Sequence, residues 1–375
     1  MNINSAGEPA VIPLMNLSAG CEKIYPKIMD KLRAVIEKSQ FIGGEEVANF
    51  EGEFAGYCRT KHAVSCSSGT DALILILKAL GIGAGDVVLT VPNTFIATAE
   101  AVTAVGARVA FVDVDELYYT MDPFKLKRYL IEHRKENVKA VIPVHLYGQM
   151  ADMESINGIA GEFGVFVIED AAQAHGAELN GKRPGFFGSA AAFSFFPGKN
   201  LGAFGDAGAV ATNDPRLSGR IKMLSNHGRI RKYEHEIEGY NCRMDAIQAA
   251  ILRIKLEHLE EWTDLRILKA EVYEACLRHK KGAAAPIRRG GARHVFHLYV
   301  VRTNERDNIR EKLKNNGIFA GVHYPVPLHL QPAYKHLGYC EGDFPVAEQL
   351  SREIISLPFW PEIEEAKIKH ICSYF

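Results

Sequence analysis

Residues 164–177 read GVFVIEDAAQAHGA, and residues 194–210 read SFFPGKNLGAFGDAGAV. The first stretch is an apolar run that ends in two acids, Glu169 and Asp170. A run of this kind, without polar alternation, predicts a strand covered on both faces whose carboxyl end lies where α/β sheets bind ligands. Alternation along the strand sends Glu169 and Asp170 to opposite faces, so only one of them meets a given ligand. The second stretch sets one lysine, Lys199, in a loop shaped by Pro197 and by Gly198, Gly202, Gly205 and Gly208. Such glycines let backbone approach a ligand closely. The pattern G-x-x-x-x-G-K-[ST] is not formed there, which excludes a P-loop.

Working outward, similar apolar runs recur at AVSC (63–66), DVVLTVP (86–92), RVAFVDVD (108–115) and KAVIPVHL (139–146), then at AAAFSFF (190–196) and AGAVATN (207–213). Helical or loop segments separate them, and DALILILKAL (71–80) is apolar nearly all round, as a buried helix is. The pattern predicts an α/β fold with a mainly parallel sheet. The segment at 245–262 has Ile247, Ile251, Ile254 and His258 at helical spacing and leads toward a smaller unit. That unit is expected to hold a strand (295–302), a charged helix (304–316) and a second strand, IFAGVHY (318–324). The expected division is a large domain over 1–262, with a loose arm in its first ten residues, and a small domain over 263–375.

Composition narrows the function classes. The chain has 375 residues, 47% hydrophobic and 24% charged, and a formal net charge of −1, so no global basic field points to nucleic acid. The start, MNINSAGEPA, lacks a basic region followed by an apolar run. No stretch reaches the roughly 18–20 apolar residues that span a bilayer. Seven scattered cysteines form no C-x-x-C pair and read as reduced thiols. The expectation is a cytoplasmic protein with no metal centre and no membrane or nucleic-acid partner.

The remaining residues supply separate pieces of chemistry. Ser68, Gly69 and Thr70 open the helix at 71, where free N–H groups and the helix dipole favour an anion. Each also fits plain helix capping. Ser194 adds a hydroxyl five residues before Lys199. Phe95, in the loop after a strand end, is placed to lie flat on a ring or to pack in the core. A lysine for covalent attachment, a carboxylate for a pyridine nitrogen, a phosphate nest and a flat cover are what pyridoxal 5'-phosphate asks of a protein.

At this point a resemblance enters. FIGGEEVANFEGEFA (41–55), SSGTDAL (67–73), TFIATAEA (94–101), VHLYGQ (144–149), EDAAQAHGA (169–177), SFFPGKNLGAFGDAGA (194–209) and GYNCRMDAIQAAIL (239–252) resemble, in order, the DegT–DnrJ–StrS sugar-nucleotide aminotransferases. The likeness runs from about residue 10 to the C-terminus. It implies the fold-type I architecture, a large domain with a mixed sheet flanked by helices plus a small α/β domain. It implies Lys199 as the Schiff-base lysine, Asp170 as partner of the pyridine nitrogen, and Gln173 near the ring hydroxyl. Gly69, Thr70 and Ser194 match the phosphate site, and Phe95 the ring cover. Asn241 matches a phosphate contact given by the neighbouring subunit, which implies a homodimer with shared sites.

The implied reaction moves an amino group from L-glutamate to a nucleotide-linked keto-sugar. HYPVPLHLQ and AAQAHG look more like members acting at a 3-keto position than at a 4-keto position. His323, Tyr324 and His329, with His175 and Arg229, are candidate substrate contacts; aromatic packing is the alternative for several of them. Competing readings are a cyclitol aminotransferase, a pyridoxal-phosphate dehydratase and a cofactor-binding regulator without turnover.

Overall fold

A computed structural model describes residues 11–375, so the arm expected over the first ten lies outside the described residues. Seven strands form the central sheet: β1 (His62–Cys66), β2 (Val87–Thr90), β3 (Arg108–Phe111), β4 (Val138–Val141), β5 (Phe166–Asp170), β6 (Ala190–Ser194) and β7 (Gly208–Thr212). Their spatial order is β1-β7-β6-β5-β4-β2-β3. Strand β7 runs antiparallel to both its neighbours, and every other pairing is parallel. The carboxyl ends of β1, β2, β5 and β6 therefore share one edge, and the start of β7 joins them there.

The strands are buried as their composition demands. β2 and β7 have no exposed residue, and β6 is alanine-rich, which lets a helix press close. That helix, Gly69–Ala79, packs over β6 and β7 with Leu73, Leu75, Ile76 and Leu77 inside. A second apolar cluster gathers Tyr273, Phe296, Tyr299, Phe359 and Ile368 around the antiparallel pair Tyr299–Arg302 and Ile354–Leu357.

Three local expectations differ from what is seen. The segment at 245–262 is two helices, Ala246–Leu256 and Leu259–Leu277, parted at Glu257 and His258. The second helix starts in the large core at Leu259 and ends in the small one at Ala270, Tyr273 and Leu277. The expected boundary at 262 thus falls inside a helix that both cores use, and we propose this helix as the joint between the domains 1–262 and 263–375. IFAGVHY is not a strand. Its backbone partners are divided, Ile318 bridging Ile12 and Gly321 bridging Ser356, and Pro325 and Pro327 then remove donors. The strand expected over 295–302 covers only Tyr299–Arg302, and its partner is Ile354–Leu357, which follows the helix Pro345–Glu353 directly.

Candidate active site

The two acids at the end of β5 part as a strand's alternation requires. Glu169 is fully buried and accepts from Gly185 N and Gly188 N, each at 2.9 Å, with His145 Nε2 also at 2.9 Å. Ala151 N donates to His145 Nδ1, so the ring's proton sits on Nε2 and points at Glu169. Glu169 is therefore fully engaged in holding the 183–189 loop to the sheet. Asp170 faces the other way. Its Oδ2 accepts from Thr98 Oγ1 at 2.7 Å and its Oδ1 from Ala172 N at 3.1 Å. Thr98 has one hydroxyl proton and gives it to Asp170, so Thr94, 3.0 Å away, donates to Thr98 in turn.

Lys199 lies in the loop between β6 and β7. Its N–H donates to Phe196 O at 2.8 Å, and Asn200 Nδ2 ties the loop to Val295 O at 3.1 Å. Burial lowers the Lys199 amine to a pKa of about 8, while the Asp170 carboxylate pulls it the other way. At pH 7 about a tenth of such amines are neutral, against well under one in a thousand for an ordinary lysine. Three buried histidines lie within reach of the Lys199 charge, and burial followed by that charge lowers them all. His175 falls to about 3, His323 to about 4, and His297 well below its ordinary range.

The anion cup is built by close approach. Ser68 caps the Gly69–Ala79 helix, its Oγ accepting from Asp71 N at 3.0 Å. The helix's first N–H groups, on Gly69 and Thr70, have no acceptor within the helix. A Cβ on Gly69 would lie 2.6 Å from Ser194 Cβ, and one on Gly208 would lie 2.2 Å from Ser68 O. Both positions need glycine because β6, β7 and the helix start meet there. Gly69, Thr70 and Ser194 are thereby brought together beside the Lys199 loop.

Phe95 is exposed, with its ring centroid 5.9 Å from that of Tyr324. Gln173 Oε1 accepts from Tyr147 N at 2.7 Å, and its Nε2 donates to Tyr324 OH at 3.2 Å, leaving one N–H for a ligand. His323 Nδ1 lies 2.9 Å from Ser356 Oγ. Tyr147 is buried in the left-handed conformation, φ 59°, which costs a non-glycine residue about 1–2 kcal/mol.

Other expected residues lie elsewhere. His175 is fully buried, its ring 5.5 Å from Phe193 and 5.6 Å from Phe195, on the face of β6 away from Ser194. His329 is buried in a short turn against Glu348 Oε1 at 3.0 Å and the ring of Phe344. Neither offers an open face to a substrate, so neither is carried forward as a sugar contact. Arg229 begins a small hairpin pairing 229–231 with 234–235, and Asn241 is exposed on a segment bridged to Asn226. Sequence reading passed over Thr98, Tyr147 and His297. The first two lie inside strings quoted above, but nothing in their spacing aims them at Asp170 or Gln173.

A partly neutral amine set against a carboxylate, beside a cup for an anion, is the arrangement of an enzyme that does amine chemistry. The chain belongs to the DegT/DnrJ/EryC1/StrS aminotransferase family, which it matches over residues 22–375. Over 362 residues it is 44% identical to a Geobacillus stearothermophilus protein named pleiotropic regulatory protein, with 96% of each chain covered. It is 43% identical to the dTDP-3-amino-3,4,6-trideoxy-alpha-D-glucose transaminase of Streptomyces venezuelae, covering 96% of this chain and 94% of that one. The crystal structure of S. venezuelae DesV in complex with a ketimine intermediate is similar at a TM-score of 0.94, with 42% identity and 98% of each chain covered. Among the described residues no helix is long and apolar enough to cross a membrane.

Proposed function

We propose that this aminotransferase moves an amino group from L-glutamate to the 3-keto carbon of a nucleotide-linked sugar, giving an aminosugar nucleotide for a surface polysaccharide or glycosylated metabolite. The observation that carries the reading is the buried Lys199 amine within the electrostatic reach of the Asp170 carboxylate, beside the Gly69–Ser194 cup. These residues fit pyridoxal 5'-phosphate, the cofactor of the family. When bound, that group supplies an electron sink and carries the amino group between the two substrates.

The chain's own residues divide the work. The N–H groups of Gly69 and Thr70 and the hydroxyl of Ser194 bind the phosphate, with Ser68 fixing the helix start. Asp170, held by Thr98 and Ala172, would serve the pyridine nitrogen. Phe95 would cover the ring, and the free N–H of Gln173 would read its hydroxyl. Lys199 would hold the cofactor through its side-chain amine, and once the donor's amino group had displaced it, that neutral amine would accept and redeliver the donor's Cα proton. His323 and Tyr324 form the substrate-facing turn, and Arg229 supplies a cation for a carboxylate or diphosphate.

Asn241 serves the partner's phosphate in a homodimer. An exposed apolar band on Tyr25, Met29, Ile36, Phe41 and Ile42 supports such an interface. The seven free thiols suit the cytoplasm.

The 3-keto assignment rests on the likeness to the Streptomyces transaminase and on the HYPVPLHLQ segment. The test converts the protein to its pyridoxamine form with glutamate and offers it 3-keto and 4-keto sugars linked to dTDP or UDP, and a free cyclitol ketone. Return of the aldehyde absorbance with 3-keto nucleotides is expected. Return only with 4-keto sugars or the cyclitol overturns the substrate assignment. Failure to leave the aldehyde form with any amino donor marks a regulator without turnover.

A further inference from the structure

Tyr147 uses each of its polar groups on a different part of the site. Its N–H donates to Gln173 Oε1 at 2.7 Å, its carbonyl accepts from His297 N at 2.8 Å, and its hydroxyl donates to the carbonyl of His323. The three partners lie on separate segments: the loop after β5, the stretch ahead of Tyr299–Arg302, and the turn at 321–324. Only the left-handed backbone at Tyr147 sends all three groups where they go, and a bulky residue keeps that conformation only where its surroundings insist on it. Packing and hydrogen bonds both insist, for Tyr147 is buried within the larger apolar core. Two small cavities of about 10 Å³ each touch the residue, one shared with Tyr119, Leu146 and His294, the other with Asn93, Tyr324 and Ile354. The ring meets Tyr119 edge-on with centroids 6.3 Å apart. The three hydrogen bonds then tie its partners to that fixed place.

We propose that Tyr147 is the positioning residue that couples Gln173, on the cofactor side, to the His323–Tyr324 turn on the substrate side. The coupling closes into a ring of contacts, because Gln173 also donates to Tyr324 OH at 3.2 Å. The N–H, carbonyl and hydroxyl of Tyr147 are all engaged by the chain itself. Tyr147 fixes the distance between the residue that reads the cofactor's ring and the turn that meets the sugar. The proposal rests on the reading of His323 and Tyr324 as substrate-facing.

The test is Tyr147→Phe in the holoenzyme, which removes one hydroxyl and leaves both backbone bonds. Hydrogen exchange of the amides in 321–328 should quicken by about tenfold, the loss of one neutral hydrogen bond, while amides in 194–203 keep their rates. With dTDP-3-keto-4,6-dideoxyglucose as probe, KM should rise by about five- to tenfold, with kcat and the bound cofactor's absorbance little changed. Unchanged exchange in 321–328, or a fall in kcat with KM unmoved, overturns the coupling. Tyr324→Phe is run alongside. If it leaves KM untouched, the substrate-facing reading has failed. If it raises KM while Tyr147→Phe does not, that reading stands and the coupling alone is wrong.

Discussion

Glu169 and Asp170 are consecutive in the chain, yet their carboxylates serve opposite faces of one sheet. Glu169 is closed off by Gly185, Gly188 and His145, while Asp170 is held by Thr98 and Ala172 toward Lys199. Amide substitution therefore separates a structural acid from a chemical one. Asp170→Asn should keep its folding stability but lose at least about a hundredfold in turnover, each tenfold being about 1.4 kcal/mol of barrier. Glu169→Gln should lose about 2–4 kcal/mol of stability, because an amide N–H is set against backbone donors in a buried place. Denaturant titration and steady-state kinetics on both variants check this. Near-normal turnover in Asp170→Asn would end the assignment.

The lowered Lys199 amine makes a pH prediction. The neutral amine is the nucleophile, so capture of added cofactor by the apoprotein rises with pH while the amine loses its proton. With a pKa of about 8, the rate should climb roughly tenfold from pH 6 to 7 and level off above about 8.5. An unperturbed lysine would go on rising past pH 10. Stopped-flow absorbance between pH 6 and 9.5 decides. Lys199→Ala should abolish covalent fixation by borohydride, and labelling of any other lysine would contradict the role.

Gly69→Ala tests the cup. The added methyl meets Ser194 Cβ at 2.6 Å, so the helix start must move away from β6. Overpacking of this sort costs about 1–3 kcal/mol. The displaced N–H groups should weaken cofactor binding by about ten- to a hundredfold, read by titrating apoprotein and following absorbance. Wild-type affinity would show that the phosphate is held elsewhere.

Asn241 tests the shared site. Asn241→Asp sets a carboxylate against the phosphate, and Lys199→Ala removes the amine. In a mixed dimer, a cross-subunit Asn241 leaves one site with both residues intact. Mixing the two inactive variants should then restore up to about half of normal activity per heterodimer. If Asn241 serves its own chain, both sites stay defective. No recovery, with subunit exchange confirmed by mass spectrometry, would place Asn241 on its own chain's cofactor.

The strands were legible because buried parallel strands carry apolar runs that few other elements do, and the split of Glu169 from Asp170 follows from alternation alone. The cup was legible as glycines beside serines next to strand ends. What stayed hidden depends on contacts between distant segments. Thr98 reaches Asp170 across 72 residues and Tyr147 reaches His323 across 176, and no local pattern encodes either. The strand Ile354–Leu357 was missed because a helix runs straight into it with no glycine or proline between. His329 was expected near the sugar because its segment, 321–334, resembles the family's substrate-facing loop, but the turn carries it into the apolar contacts of Phe344.

Strand β1 has one sheet neighbour, β7, with His62 set against Thr212. During synthesis the amino-terminal strand must therefore wait for some 150 more residues to emerge before it can dock. Long waits of this kind slow folding and leave apolar strand edges open to wrong partners. The cup between Ser68 and Gly208 is closed by that same late event. A nascent chain that stops short of Gly208 can have its parallel strands assembled while the cup of Gly69, Thr70 and Ser194 still lacks the strand that packs against Ser68.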